Sequence, residues 1–184
     1  MDERSAMVIL ESEMEDALAA MRQGGLARTY KVHRPSLPPV PAVIPALPTE
    51  STPLIRSIVR GMSDALAGDA VSVIVPVSLK INSVGVPEAI IAAVTWRDGQ
   101  MGQTLVQATG IRRDEHGGIA ETFDFTPPNV QPFLEHVMGG VLSPVPPDAL
   151  DVAYARRLLV ANGFSPDGLG VDINDNEVAP PTVH

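Results

Sequence analysis

Six prolines stand at Pro35, Pro38, Pro39, Pro41, Pro45 and Pro48, and this cluster limits the fold more than any other feature of the chain. Proline fixes φ and carries no amide donor, so no helix and no central strand can run through the cluster. The segment is expected to be extended, mostly polyproline II. Its remaining residues are apolar: Leu37, Val40, Ala42, Val43, Ile44, Ala46 and Leu47, with no charge from Pro35 to Pro48. Solvated spacers are rich in Ser, Gly, Glu or Lys. An apolar extended arm is expected to lie against a surface, either its own core or a neighbouring subunit. Pro-x-x-Pro spacings also occur here, as in ligands of aromatic grooves. Arg34 precedes the first proline and no basic anchor follows the last, which favours the arm.

On the N-terminal side, residues 4–23 read as a helix. Met7, Leu10, Met14, Ala17, Leu18 and Met21 recur at three- and four-residue steps, the period of one helical face. Glu11, Glu13, Glu15 and Asp16 occupy the other positions. The seam at 7, 10, 14, 17 and 21 is heptad-like and suits contact with one partner helix, or packing on the chain's own domain.

Beyond the prolines, Thr52-Pro53 opens a helix with a capping hydroxyl and a proline at the first helical position. Its apolar face runs through Leu54, Ile55, Ile58, Val59, Met62 and Leu66, and Gly68 ends it. The period then changes to two. Val71, Val73, Val75, Val77, Leu79 and Ile81 alternate with other residues, which predicts a half-buried strand. Pro76 places that strand at an edge or on a bulge. Ala89–Trp96 is apolar on both faces and reads as a central strand. Arg97-Asp98-Gly99-Gln100 and Asp114–Gly118 are turns, and residues 103–111 and 119–125 are further strands. Short turns between successive strands predict an antiparallel meander. Helices are expected at about 130–138 and 147–162.

The chain thus divides into an N-terminal helix (1–25), a Pro-rich extended arm (26–50), a core domain (51–163) and an acidic tail (164–184). The predicted class is α+β: a four-stranded antiparallel meander covered by helices on one face. The core is packed from Val, Leu, Ile, Ala and Met, since aromatics are only 4%.

Several chemistries are excluded or unsupported. There is no cysteine, so disulfides, thiolate metal sites and a cysteine nucleophile are out. A net charge of −9 argues against a phosphate-backbone binder. No apolar run reaches the length of a membrane span, and Met1-Asp2-Glu3-Arg4 lacks the pattern of a secretory signal. A cytoplasmic location, or one inside a larger assembly, is expected. No serine elbow, Gly-rich phosphate loop or His-x-x-x-His pair occurs, and no cofactor or metal is implied. His33, His116, His136 and His184 read as surface residues. Asp172-Ile173-Asn174-Asp175-Asn176 is similar to the Asp-x-Asn-Asp-Asn linker of cadherin repeats, which implies calcium ligation. The likeness spans five residues, has no Leu-Asp-Arg-Glu counterpart upstream, and also fails the spacing of an EF-hand loop. The segment is read as solvated acidic tail.

These features point to a structural or adaptor protein of a multi-subunit assembly, such as a phage virion component or an accessory subunit of a bacterial machine. The expected partner-binding residues are Met7, Leu10, Met14 and Met21 of the helix, with Leu37, Val40, Val43, Ile44 and Leu47 of the arm. Partners would be other protein subunits, in a homo-oligomer or a hetero-assembly. The alternative is a small-ligand binder or enzyme with a pocket between sheet and helices, using His116 or His136.

Overall fold

The computed structural model describes residues 1–23, 25–42, 52–78, 88–98, 101–126, 130–142 and 149–161. The arm residues Val43, Ile44 and Leu47, the acidic tail with its Asp172–Asn176 run, and His184 lie outside the described residues. The strands are β1 (Thr29–Arg34), β2 (Leu37–Pro41), β3 (Ala70–Ser78), β4 (Glu88–Asp98), β5 (Met101–Arg113) and β6 (Ile119–Asp124). The helices are α1 (Glu3–Arg22), α2 (Thr52–Ala65), α3 (Val130–Met138) and α4 (Ala149–Ala161). The strands form one antiparallel sheet in the order β2-β1-β3-β4-β5-β6.

The α+β class and the β3–β6 meander agree with the sequence reading, but the sheet has six strands rather than four. The two additional strands come from the stretch read as an arm. Residues 29–34 alternate, with Tyr30 and Val32 fully buried on one side and Lys31 and His33 on the other. This is the period-two pattern of a strand. β2 then carries Pro38, Pro39 and Pro41 at the outer edge of the sheet, the place to which prolines within sheets are confined. The β1–β2 connection is tight, with Arg34 opposite Leu37. Pro35 presets the first turn position, and Ser36 takes a positive φ of 57°, the combination a type II turn uses.

β3 is not an edge strand. It pairs with both β1 and β4, yet its pairing with β1 ends at Ile74. Pro76 therefore lies where the strand has a neighbour on one side only, which resolves the conflict between a proline and a central position. Nor is β3 half-buried: Val71, Val73 and Val75 face one layer, and Ala70, Ser72 and Ile74 face another. All six are at most 5% exposed.

The reason is that helices cover both faces. On one, α2, α3 and α4 enclose Tyr30, Val32, Val71, Val73 and Ala93 with Ile58, Val59, Met62, Val137 and Leu159. On the other, α1 lays Ala6, Leu10, Met14, Ala17 and Met21 on Ala70, Ile74, Ile90, Ala92, Val94, Trp96 and Ile111. The N-terminal helix is thus a layer of the domain and not a projecting arm. Each large aliphatic side chain buried in this way contributes about 1.5–3 kcal/mol relative to exposure. Asp2 starts the helix by accepting a 2.8 Å hydrogen bond from the Ser5 amide, a standard capping arrangement.

Two further contacts fix the three-helix layer. The Tyr30 hydroxyl donates a buried 3.0 Å bond to the Val137 carbonyl at the end of α3. Gly68 lets the α2–β3 connection pass close to β1, since a Cβ there would stand 2.5 Å from Val32 Cγ1.

Candidate functional site

The interface between α1 and the sheet is apolar except at one place. Glu13, at 5% exposed, and His33, at 8%, are buried there with Ser72. Helical spacing puts Glu13 on the same inward side as Leu10 and Met14, three residues from one and one from the other. Strand alternation puts Lys31 and His33 on the side of β1 that faces α1. Lys31 Nζ lies 2.9 Å from Glu13 Oε2 and 3.3 Å from Asp16 Oδ2. His33 Nε2 is 2.8 Å from Ser72 Oγ and 3.9 Å from Glu13 Oε1.

Burial pushes the Glu13 carboxyl above its ordinary range, against the hydrogen bond and charge of Lys31. Burial also opposes the charge on Lys31, but hydrogen bonds and attraction from Glu13 and Asp16 outweigh it and hold the ammonium above its usual value. His33 is pushed down to about 4, first by burial and then by the Lys31 charge, with Asp69 acting the other way. At neutral pH the imidazole is therefore uncharged. Its 3.9 Å approach to Glu13 is neither an ion pair nor a hydrogen bond.

Serine, histidine and glutamate in one cluster invite comparison with a nucleophilic triad. In such a triad the acid holds the ring nitrogen opposite the one facing the serine. Here Ser72 and Glu13 both approach Nε2. Ser72 is also only 1% exposed, so no substrate reaches it. The arrangement is a polar lock between α1 and the sheet. The sequence reading of His33 as a surface residue is corrected here, and Glu13, off the apolar stripe of α1, is buried as well. The usable signal was the alternation Tyr30-Lys31-Val32-His33, which marks a strand with two polar side chains toward a covering layer.

The other described histidines, His116 and His136, do not build a site. His116 is 84% exposed in the β5–β6 turn beside Glu115, and His136 is exposed on α3. A cleft of about 370 Å³ does lie between the sheet and α3, lined by Thr95, Thr104, Gln131, Glu135 and neighbours, and neither histidine lines it. Among the described residues no group of three or more His, Asp or Glu could hold a metal ion. No described helix is long and apolar enough to cross a membrane.

The nominated partner-binding residues divide sharply. Leu10, Met14, Met21 and Val40 are at most 8% exposed and belong to the chain's own core, while Met7 and Leu37 remain 40% and 56% exposed. From Leu10 to Met21 the heptad-like seam is thus occupied by the sheet, the second of the two contacts its spacing allows, and Met7 stays outside it.

An open surface lies instead on the α1 side of the sheet. α1 packs on β3, β4 and β5. Between it and β6 runs a groove of about 580 Å³, walled by Glu11, Met14, Glu15 and Leu18 and floored by Gln107, Thr109, Thr122 and Asp124, with Phe123 at its side. Its charged lining residues are Glu11, Glu15 and Asp124, all acidic. Glu11 and Glu15 are one helical turn apart, a like-charge spacing that costs about 0.2–0.5 kcal/mol. Among the described residues neither forms an ion pair, nor does Asp124.

Comparison with known proteins finds no matching family model, no matching curated protein and no matching solved structure.

Proposed function

We propose that this chain is a non-catalytic structural or adaptor subunit of a multi-subunit assembly. The observation that carries this reading is the unequal covering of the sheet. Among the described residues three helices lie over one face, whereas a single helix lies over the other and leaves the β5–β6 half of that face as a groove. The buried polar residues Glu13, His33 and Ser72 lie between α1 and the sheet, and the histidines available to an enzymatic reading, His116 and His136, are exposed and apart. Met7 and Leu37 are left exposed and extend the surface available to a neighbour. The test is the native size of the tagged chain in extracts of its source cells, with quantitative mass spectrometry of the co-eluting proteins. Stoichiometric co-elution with one or more partner subunits is expected. Recovery as a lone 19.5 kDa chain at every concentration would overturn the reading.

A further inference from the structure

We propose that the groove between α1 and β6 receives an amphipathic, lysine- or arginine-bearing helix of a partner protein, which completes the second helical layer of the domain. The inference deepens the adaptor reading and rests on it.

The first argument is spacing. Helices packed side by side on a sheet lie about 8–10 Å apart, and neighbouring strands about 4.8 Å apart. A helix next to α1 therefore stands about two strands away. Since α1 centres on β4 and reaches β5, that position is over β5 and β6, where the groove runs. The same fold already uses this arrangement on its other face, where α2 and α4 pack against each other.

The second argument is charge. The groove exposes Glu11 and Glu15 along its α1 wall and Asp124 on its floor, with no Lys, Arg or His in the lining. Leu18, half-buried, is the apolar side chain beside them, whereas Met14 reaches the groove only from the core beneath α1. Arg112 and Arg113 on β5 are engaged with Glu121 and Glu88, so they do not neutralise it. A helix bearing cations matches the charge, and one apolar side chain on it can rest against Leu18 and the rim at Phe123.

The same charge disfavours two other occupants. The chain's own residues 164–184 carry Asp167, Asp172, Asp175 and Glu177 and no Lys or Arg. A second copy docked groove to groove would bring the same three carboxylates against their equivalents.

The test uses the full chain and a fluorescently labelled 18-residue helical peptide of leucine and lysine, with its leucine–glutamate counterpart as control. The lysine peptide is expected to bind, to weaken as salt is raised, and to shift backbone NMR signals of residues 11–18, 107–109 and 122–124. Glu11→Lys/Glu15→Lys is expected to weaken binding at least tenfold at low salt, with Glu11→Gln/Glu15→Gln in between. All four substitutions are at exposed helix positions, and an unchanged far-UV spectrum shows that the fold is kept. Equal binding of both peptides, indifference to the charge reversal, or NMR shifts confined to other surfaces would overturn the proposal. If the charge-reversed chain still co-elutes with its native partners while the lysine peptide fails, the groove inference falls and the adaptor reading stands. If the chain elutes alone from source cells, the adaptor reading falls with it.

Discussion

Glu13 on α1 and Lys31 on β1 meet at 2.9 Å across the helix–sheet interface, with the Glu13 side chain 6% exposed and that of Lys31 22% exposed. The pair is a directional contact in an interface whose surrounding contacts are apolar and non-directional. Deleting one partner leaves the other's charge in the interface. Glu13→Leu is expected to cost about 2–3 kcal/mol, below the full penalty for a wholly buried pair because Lys31 retains some solvent and Asp16. Lys31→Met should cost a similar or smaller amount. The double variant should lose less than the sum of the two, since both charges are gone. Urea unfolding of the four proteins measures the coupling, and strictly additive losses would show that the pair contributes none.

His33 gives folding a pH dependence. In the unfolded chain its pKa is near 6.5, and in the fold it is about 4. Between these values the unfolded chain binds a proton that the folded chain refuses, so stability falls as pH drops from about 6.5 to about 4 and this loss is complete below that. At about 1.4 kcal/mol per pH unit the full loss is on the order of 3 kcal/mol. Glu13, held above its ordinary range, contributes with the opposite sign: its stabilisation is greatest at low pH and fades as pH rises through its folded value. Comparing the wild type with His33→Gln in urea melts from pH 4 to pH 7 isolates the histidine. The difference between the two should shrink steadily toward acid, and a constant difference would remove His33 as the cause.

Trp96, the single tryptophan of the chain, is 4% exposed beneath α1 and reports on the docking of that helix. Deleting residues 1–25 should uncover Ile74, Ile90, Val94 and Trp96 together. A red-shifted emission and binding of a hydrophobic dye are the expected readouts. Unchanged emission would mean that α1 does not shield the ring. Cutting as far as Thr49 would also remove β1 and β2, and would test the sheet rather than the helix.

Ala67 ends α2 with a positive φ of 49°, while the Gly68 amide donates to the Ser63 carbonyl at 2.7 Å. This closes the helix as glycine usually does at such a position, but with a Cβ in the left-handed region. Ala67→Gly is expected to raise stability by about 0.5–1 kcal/mol, read as a higher midpoint in urea at unchanged slope. A fall in the midpoint would show that the Ala67 methyl makes contacts worth more than the strain.

Local patterns in the sequence determined much of this protein. The helix now seen at Glu3–Arg22, the start of α2 at Thr52, the meander from β3 to β6 and the helices α3 and α4 all follow from apolar periodicity, turn residues and proline placement. These signals are carried by residues close together in the chain, so they survive without a fold. Of the prolines that bar a central strand, Pro38, Pro39 and Pro41 are found on an edge, in β2, as their chemistry requires.

Only the tertiary structure decided where those elements go. A heptad-like stripe specifies that a helix buries one face, but not against what. The sheet rather than a partner took Leu10, Met14 and Met21, because β3 and β4 offered a second apolar face through Ile74, Ile90 and Val94. That choice turned Glu13 from a solvent-facing residue into half of an interface ion pair and gave His33 its neutral, buried state. It also left Glu11 and Glu15 on the free side of α1, where the groove begins. Contacts between residues far apart in sequence create burial, and burial changes what a charged side chain does.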